Sequence, residues 1–206
     1  MEQTQTTDSP TPTKKDRKIQ INCKPTLIWL NTDPNHLNIQ ATMEFTQDDG
    51  VGVTDPPMGG VISALGKIDI SKMPKDDKYT DNIDITIKLD DSNMKNADGT
   101  KLTGKARWAY DGEGSYPLPG GGGVPVGFGW FCAPNPAAPS GYDPVPPIAI
   151  PGMTFTRKSD NVLEIDDNTI LGTPEYGYCI AFALDGYGGY YISYDPLITT
   201  KGTRQA

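Results

Sequence analysis

The chain has 206 residues, a formal net charge of −8, 23 Gly and 19 Pro. That length can bury a sizeable core without metal or disulfide staples, and the Gly and Pro content excludes a bundle of long helices. The acidic balance leaves no basic footprint for nucleic acid or for an anionic membrane surface.

Residues 1–18 are rich in Thr, Gln, Ser and Pro, with charges at Lys14, Lys15, Asp16, Arg17 and Lys18. They read as a flexible polar tail with no apolar stretch of the kind a secretory signal carries. No segment has the roughly 18 apolar residues needed to span a bilayer. The expectation is a cytoplasmic protein, with export by another route left open. Residues 19–206 read as one domain.

From Ile19 onward the dominant hydrophobic period is two, the mark of half-buried strands. Leu37, Ile39, Ala41, Met43 and Phe45 alternate with polar residues, as do Ile83, Ile85, Ile87 and Leu89. Shorter runs at 19–23, 27–30, 67–70, 101–110 and 153–158 fit the same scheme. Val162–Ile165 is predicted to pair back on Met153–Lys158 through the turn Ser159-Asp160-Asn161. One window offers a short helix: Met58, Val61, Ile62 and Leu65 stand at i, i+3, i+4 and i+7, but Gly59 and Gly60 weaken it by about 1 kcal/mol each. Near the C-terminus, Tyr176, Tyr178, Ile180, Phe182 and Leu184 line one strand face, and Gly177, Cys179, Ala181 and Ala183 line the other. The segment 185–189 then turns the chain back toward Tyr194, as a Gly-rich hairpin loop does. The small-residue face implies close packing against that sheet, or aromatic rings laid over it. This pattern predicts an all-β fold: a single antiparallel β-sandwich, jelly-roll or Ig-like.

Residues 108–152 break the pattern. They hold 10 Gly and 10 Pro, over half of the prolines in the chain. Such a stretch is expected to form little regular sheet, with a short strand near 124–131. It is an irregular excursion, yet it is rich in aromatic residues, and long excursions of this kind are usually functional or disordered. Its rings Trp108, Tyr116, Phe128, Trp130, Phe131 and Tyr142 are the candidates for binding or interface contact. Trp130 is expected inside the fold, and some of Tyr116, Phe128 and Tyr142 are expected at a contact.

Catalytic patterns are weak. His36 is the single histidine and follows the turn sequence Asp33-Pro34-Asn35. No Gly-x-Ser-x-Gly elbow accompanies it. Gly120–Gly123 has no following Lys, so it is not a phosphate loop. The doublets Asp48-Asp49, Asp76-Asp77, Asp90-Asp91 and Asp166-Asp167 read as solvated turns and strand ends. A non-EF calcium site is the alternative. In the EF-hand-like stretch Asn96–Gly99 the ligand register fails, with Met94 and Lys105 at the outer positions. Nothing pairs two carboxylates for glycoside hydrolysis. Cys23, Cys132 and Cys179 are widely spaced, with no CxxC, so no disulfide framework or zinc site is read. Cys23 and Cys179 read as small apolar strand residues, and at most one bridge can form. No cofactor, metal or catalytic residue is expected.

The segment Tyr176-Gly177-Tyr178-Cys179-Ile180-Ala181-Phe182, a turn, and then Tyr194-Asp195-Pro196-Leu197-Ile198-Thr199 has a recognisable layout. It resembles the closing strand, hairpin and aromatic-Asp-Pro-x-Ile ending of small bacterial β-sandwich proteins, including inclusion-body proteins of the PixA/AidA type and uncharacterised relatives. The resemblance implies a sandwich and no known catalysis, and it transfers no functional residue. The expected function is a non-enzymatic structural or interaction protein that self-associates into a homo-oligomer or binds another protein. The alternative is a small glycan- or ligand-binding module, with or without calcium.

Overall fold

Alternating apolar residues in β4 (Tyr79–Leu89) bury Ile83, Ile85, Ile87 and Leu89 on one side and leave Asp84, Thr86 and Lys88 on the other. The same alternation buries Ile19, Ile21 and Cys23 of β1 (Lys15–Asn31) and Met43 and Phe45 of β2 (Asn38–Asp48). Burial of each large aliphatic side chain contributes roughly 1.5–3 kcal/mol, so this face dominates the stability of the sheet. The computed structural model describes residues 13–31, 38–48, 60–70, 77–95, 99–113, 115–117, 123–125, 127–134, 137, 142–168, 175–185, 193–194 and 197–199. The described residues form an all-β protein with no helix.

Two large sheets are present. The first has five strands in the order β10 (Met153–Ser159), β11 (Val162–Asp167), β4, β1, β2. The hairpin β10–β11 forms where the Ser159–Asn161 turn predicted it. The second sheet runs β3 (Ile68–Asp69), β14 (Leu197–Thr199), β12 (Tyr176–Leu184), β8 (Gly129–Pro134), β9 (Tyr142–Ile148). Strands β5 (Ala106–Trp108) and β13 (Ser193–Tyr194) also pair with β12. A separate two-stranded ribbon joins β6 (Ser115–Pro117) to β7 (Gly123–Pro125).

One core takes residues from both sheets. Ile19, Ile85 and Leu163 of the first share it with Ile68, Phe131, Tyr178 and Phe182 of the second. Phe155 of β10 marks the meeting point, with its ring 5.3 Å from Phe131 and 6.4 Å from Tyr178. The buried Tyr178 hydroxyl donates to the carbonyl of Gly66 at 2.6 Å, which satisfies a polar group the core would otherwise strand.

The structure departs from the sequence pattern in five places. Regular structure begins at Lys15, not Ile19, because β1 pairs with β4 from Lys15 onward and buries Arg17 with its guanidinium 5.3 Å from the Tyr79 ring. The sheets are not wholly antiparallel: β1 runs parallel to β4, and β3 parallel to β14. Parallel neighbours need a long crossover. The chain makes one by leaving the first sheet after β2, adding β3 to the second, and returning as β4. The helical spacing around Met58 is not used over the described residues 60–65, where Val61 is buried and Leu65 is exposed. The Gly/Pro-rich stretch 108–152 contains β6, β7, β8 and β9, and three of its six strand prolines, Pro144, Pro146 and Pro147, stand on β9, an edge strand, where proline is best tolerated. Asp167 is fully buried in β11 and is not a solvated strand end.

Gly129 is where the second sheet approaches Phe155 most closely. A Cβ there would lie 2.6 Å from the Phe155 ring. That ring is hemmed in by Phe128, Phe131 and Tyr178 and has little room to withdraw. Gly129→Ala is expected to destabilise the fold by about 1–3 kcal/mol through overpacking, measured by urea denaturation. An unchanged midpoint would show that the Phe155 ring is free to move.

Candidate functional site

The six rings singled out by sequence do not form one surface. Trp108 is fully buried and Phe131 is 4 % exposed, both within the main core. Trp130 is 7 % exposed and covers the other face of the second sheet, among Ala109, Cys132, Cys179 and Ala181. The small-residue face of β12 is thus filled by an indole, as expected for a ring laid over it. Phe128 is partly buried against the core, 6.5 Å from Phe155. Tyr116 belongs to β6 and Tyr142 to β9, and their side chains lie outside the described residues.

Among the described residues, the exposed aromatic of this region is Tyr110, at 50 %. It opens a tight turn closed by the Glu113 N–H donating to the Tyr110 carbonyl at 3.0 Å, with Gly112 at φ +70°. Two guanidinium groups approach its ring, Arg107 at 4.1 Å and Arg157 at 4.5 Å from the centroid. Both arginines are held. Arg107 donates two bonds to the Glu113 carboxylate at 2.8 and 2.7 Å and one to Asp185 at 2.9 Å. Arg157 donates to the Trp108 carbonyl at 3.2 Å and pairs with Asp160. The bonds from Arg107 hold the Glu113 carboxyl below its ordinary range, and the same pairing raises the Arg107 guanidinium. Two cations and three carboxylates leave no excess positive charge to attract an anion. What remains is a pre-ordered Tyr/Arg surface, the residue types that dominate protein–protein hot spots.

A second feature lies at the same end. Strand β1 pairs with β4 only as far as Cys23–Leu89. Beyond that point β1 and β2 pair with each other to Asn31–Asn38, and among the described residues with no other strand. This is roughly 25 Å of two-stranded ribbon at ~3.3 Å per residue. The turn between β10 and β11 adjoins the same end of β4, through Lys88–Val162. The ribbon sequence is apolar without alternation at Leu27-Ile28-Trp29-Leu30. Strands half-buried on one core alternate, whereas uninterrupted runs go with burial on both faces.

The edges of the two sheets differ in how they are protected. β9 carries three prolines, β10 carries Arg157 and Lys158, and β3 has only two residues. These are devices that stop edge-to-edge pairing. On β2 the lower half is occupied: the Phe45 N–H donates to the Ala64 carbonyl, and Gln47 accepts from the Val61 N–H. The upper half, 38–43, reads Asn-Ile-Gln-Ala-Thr-Met and has no charge, proline or glycine.

Elsewhere the acidic doublets serve local structure. Asp90 accepts from the Ser92 N–H and faces Lys24 at 3.7 Å, and Asp91 accepts from the Ala106 N–H. Asp84 stands opposite Asp166, and burial together with that neighbour raises its carboxyl. No cluster of three or more His, Cys, Asp or Glu suited to a metal occurs among the described residues, where no helix is long and apolar enough to cross a membrane. His36, residues 96–98 and 120–122, and the turn 186–192 lie outside the described residues. Comparison with protein-family models, with curated proteins and with solved structures found no match to this chain.

Sequence reasoning missed the Tyr110 cluster because its members come from β5, β10, two turns and Asp185 just after β12, up to 78 positions apart. The ribbon did leave a signal, the uncharged run around Trp29. Glu113 gives a test with a definite sign. Its folded pKa is depressed, so its stabilising contribution is complete above the ordinary glutamate value of about 4.3 and fades as pH falls through the lowered value. The difference in melting temperature between the wild type and Glu113→Gln is therefore expected to be largest near neutrality and to shrink below about pH 4. A difference equal at both pH values would show that the pairing is not ionic.

Proposed function

We propose that this chain is a single β-sandwich domain whose role is non-enzymatic, a structural or interaction protein that associates with copies of itself. The observation that carries this reading is the upper edge of β2, which pairs with no strand on its outer side among the described residues and lies on a ribbon that no other described strand of its sheet flanks. An unprotected edge of this kind pairs with another strand. Two copies related by a twofold axis can place β2 against β2 in antiparallel register. Centred on Ala41, that register sets Gln40 opposite Thr42 and keeps the two Glu44 carboxylates from facing each other. The Tyr110 surface at the same end adds aromatic and arginine contacts beside it. The C-terminal resemblance to inclusion-body proteins of the PixA/AidA type agrees with an assembling role. For a glycan-binding module the same ring is less suited, since a sugar stacking on Tyr110 has to share its faces with two guanidinium groups.

Thr42 is exposed on β2, so a lysine there leaves the core untouched. Sedimentation of the full chain is expected to show an oligomer at micromolar concentration. Gln40→Lys with Thr42→Lys is expected to weaken association at least about tenfold, some 1.4 kcal/mol, while the circular dichroism spectrum and melting of the subunit stay the same. A wild type that stays monomeric overturns the reading. An oligomer indifferent to both lysines removes the β2 edge as its cause.

A further inference from the structure

The three cysteines are all buried but stand in different settings. Cys23 lies in the main core with its Sγ 3.6 Å from the Met43 sulfur. Burial alone pushes that thiol far up, which makes it inert. Cys132 and Cys179 lie together on the opposite face of the second sheet, with their sulfur atoms 3.1 Å apart.

The register of β8 on β12 explains the contact. Cys132 stands opposite Gly177, and Cys179 opposite Trp130, so the two cysteines are diagonal neighbours across adjacent strands. Gly177 offers no side chain opposite Cys132, and Cys132 leans toward Cys179 instead. A disulfide has sulfurs about 2.05 Å apart, so closure needs an approach of roughly 1 Å. The surrounding side chains are Ala109, Ala181 and Trp130, and the alanines leave that motion little obstructed.

We infer that Cys132 and Cys179 are an oxidisable pair that closes into a disulfide between β8 and β12, with Cys23 remaining a thiol. The co-reactant is a small-molecule disulfide. One cysteine thiolate attacks a sulfur of the reagent, and half of the reagent leaves as a thiol that takes up the proton the cysteine gave. The second cysteine thiolate then attacks the protein sulfur of the mixed disulfide and expels the other half as a second thiol. Two cysteine S–H bonds and one reagent S–S bond are lost, and one protein S–S bond and two reagent S–H bonds are formed. The pair is oxidised by two electrons and the reagent is reduced by two. Because both thiols are buried, the exchange runs fastest when β8 and β12 are apart, during folding or local opening.

The bridge would tie two neighbouring strands of the second sheet and close the long intervening segment that contains β9, β10 and β11. It does not involve β2, so it stands apart from the association reading.

The test is to refold the full chain with oxidised glutathione and, in parallel, with excess reduced dithiothreitol. Free thiols are then counted in denaturant. The oxidised sample is expected to show one free thiol against three in the reduced sample, and an intact mass lower by two hydrogens. Peptide mapping is expected to join Cys132 to Cys179. Melting is expected to rise by roughly 10 °C on oxidation, from the loop-closure effect for a segment of this length. Cys23→Ser is expected to keep the bridge, the mass change and the rise in melting, now with no free thiol against two, and Cys132→Ser and Cys179→Ala to abolish them. Three free thiols after oxidation, glutathione adducts that do not resolve, or a bridge that includes Cys23 would each overturn the assignment.

Discussion

Strand β12 is buried along almost its whole length on both faces, and the second sheet depends on that. Among the described residues, four strands pair with it directly: β8, β5, β13 and β14. Its large residues, Tyr178, Ile180, Phe182 and Leu184, fill the core shared with the first sheet. Its small ones, Cys179 and Ala181, make room for Trp130 behind it. The alternation of large and small is the constraint: a bulky residue on the small face would meet the indole, and a small one on the large face would leave a cavity beside Phe155.

The described strands of the Gly/Pro-rich stretch build on the same arrangement. β8 enters the sheet beside β12 and brings Phe131 to one face and Trp130 to the other. Three prolines are placed on β9, the edge strand outside β8, where proline is best tolerated. Gly129 allows the closest approach of the two sheets, at Phe155. Of the aromatic residues of this stretch whose side chains are described, Trp108, Trp130 and Phe131 are buried in packing and Tyr110 is exposed.

Tyr110 and the β1–β2 ribbon share one end of the molecule but differ in physical character. The Tyr110 surface is rigid because its arginines are each fixed by carboxylates or a backbone carbonyl, so little side-chain entropy remains to be lost on contact. The ribbon edge at 38–43 is uncharged, and in the proposed association its main-chain donors and acceptors would join copies in a sequence-tolerant way. The thiol pair belongs to neither. It lies behind β12, where it bears on the strength of the sheet and not on its contacts.

The sequence alone determined the all-β class, the strands built on Ile83–Leu89, Met153–Lys158, Val162–Ile165 and Tyr176–Leu184, and the large and small faces of the last of these. Each rests on a local period of two that any half-buried strand must show. Two exceptions, Arg17 and Asp167, are buried charged residues whose local pattern reads as surface. Only the tertiary structure decided that β1 and β4 run parallel, that the prolines of 142–148 stand on an edge, that Cys132 meets Cys179, and that Arg107, Glu113, Arg157 and Asp185 converge around Tyr110. These are matters of which strands become neighbours. Pairing between distant strands is fixed by the summed burial of the whole core, which no short window of sequence contains.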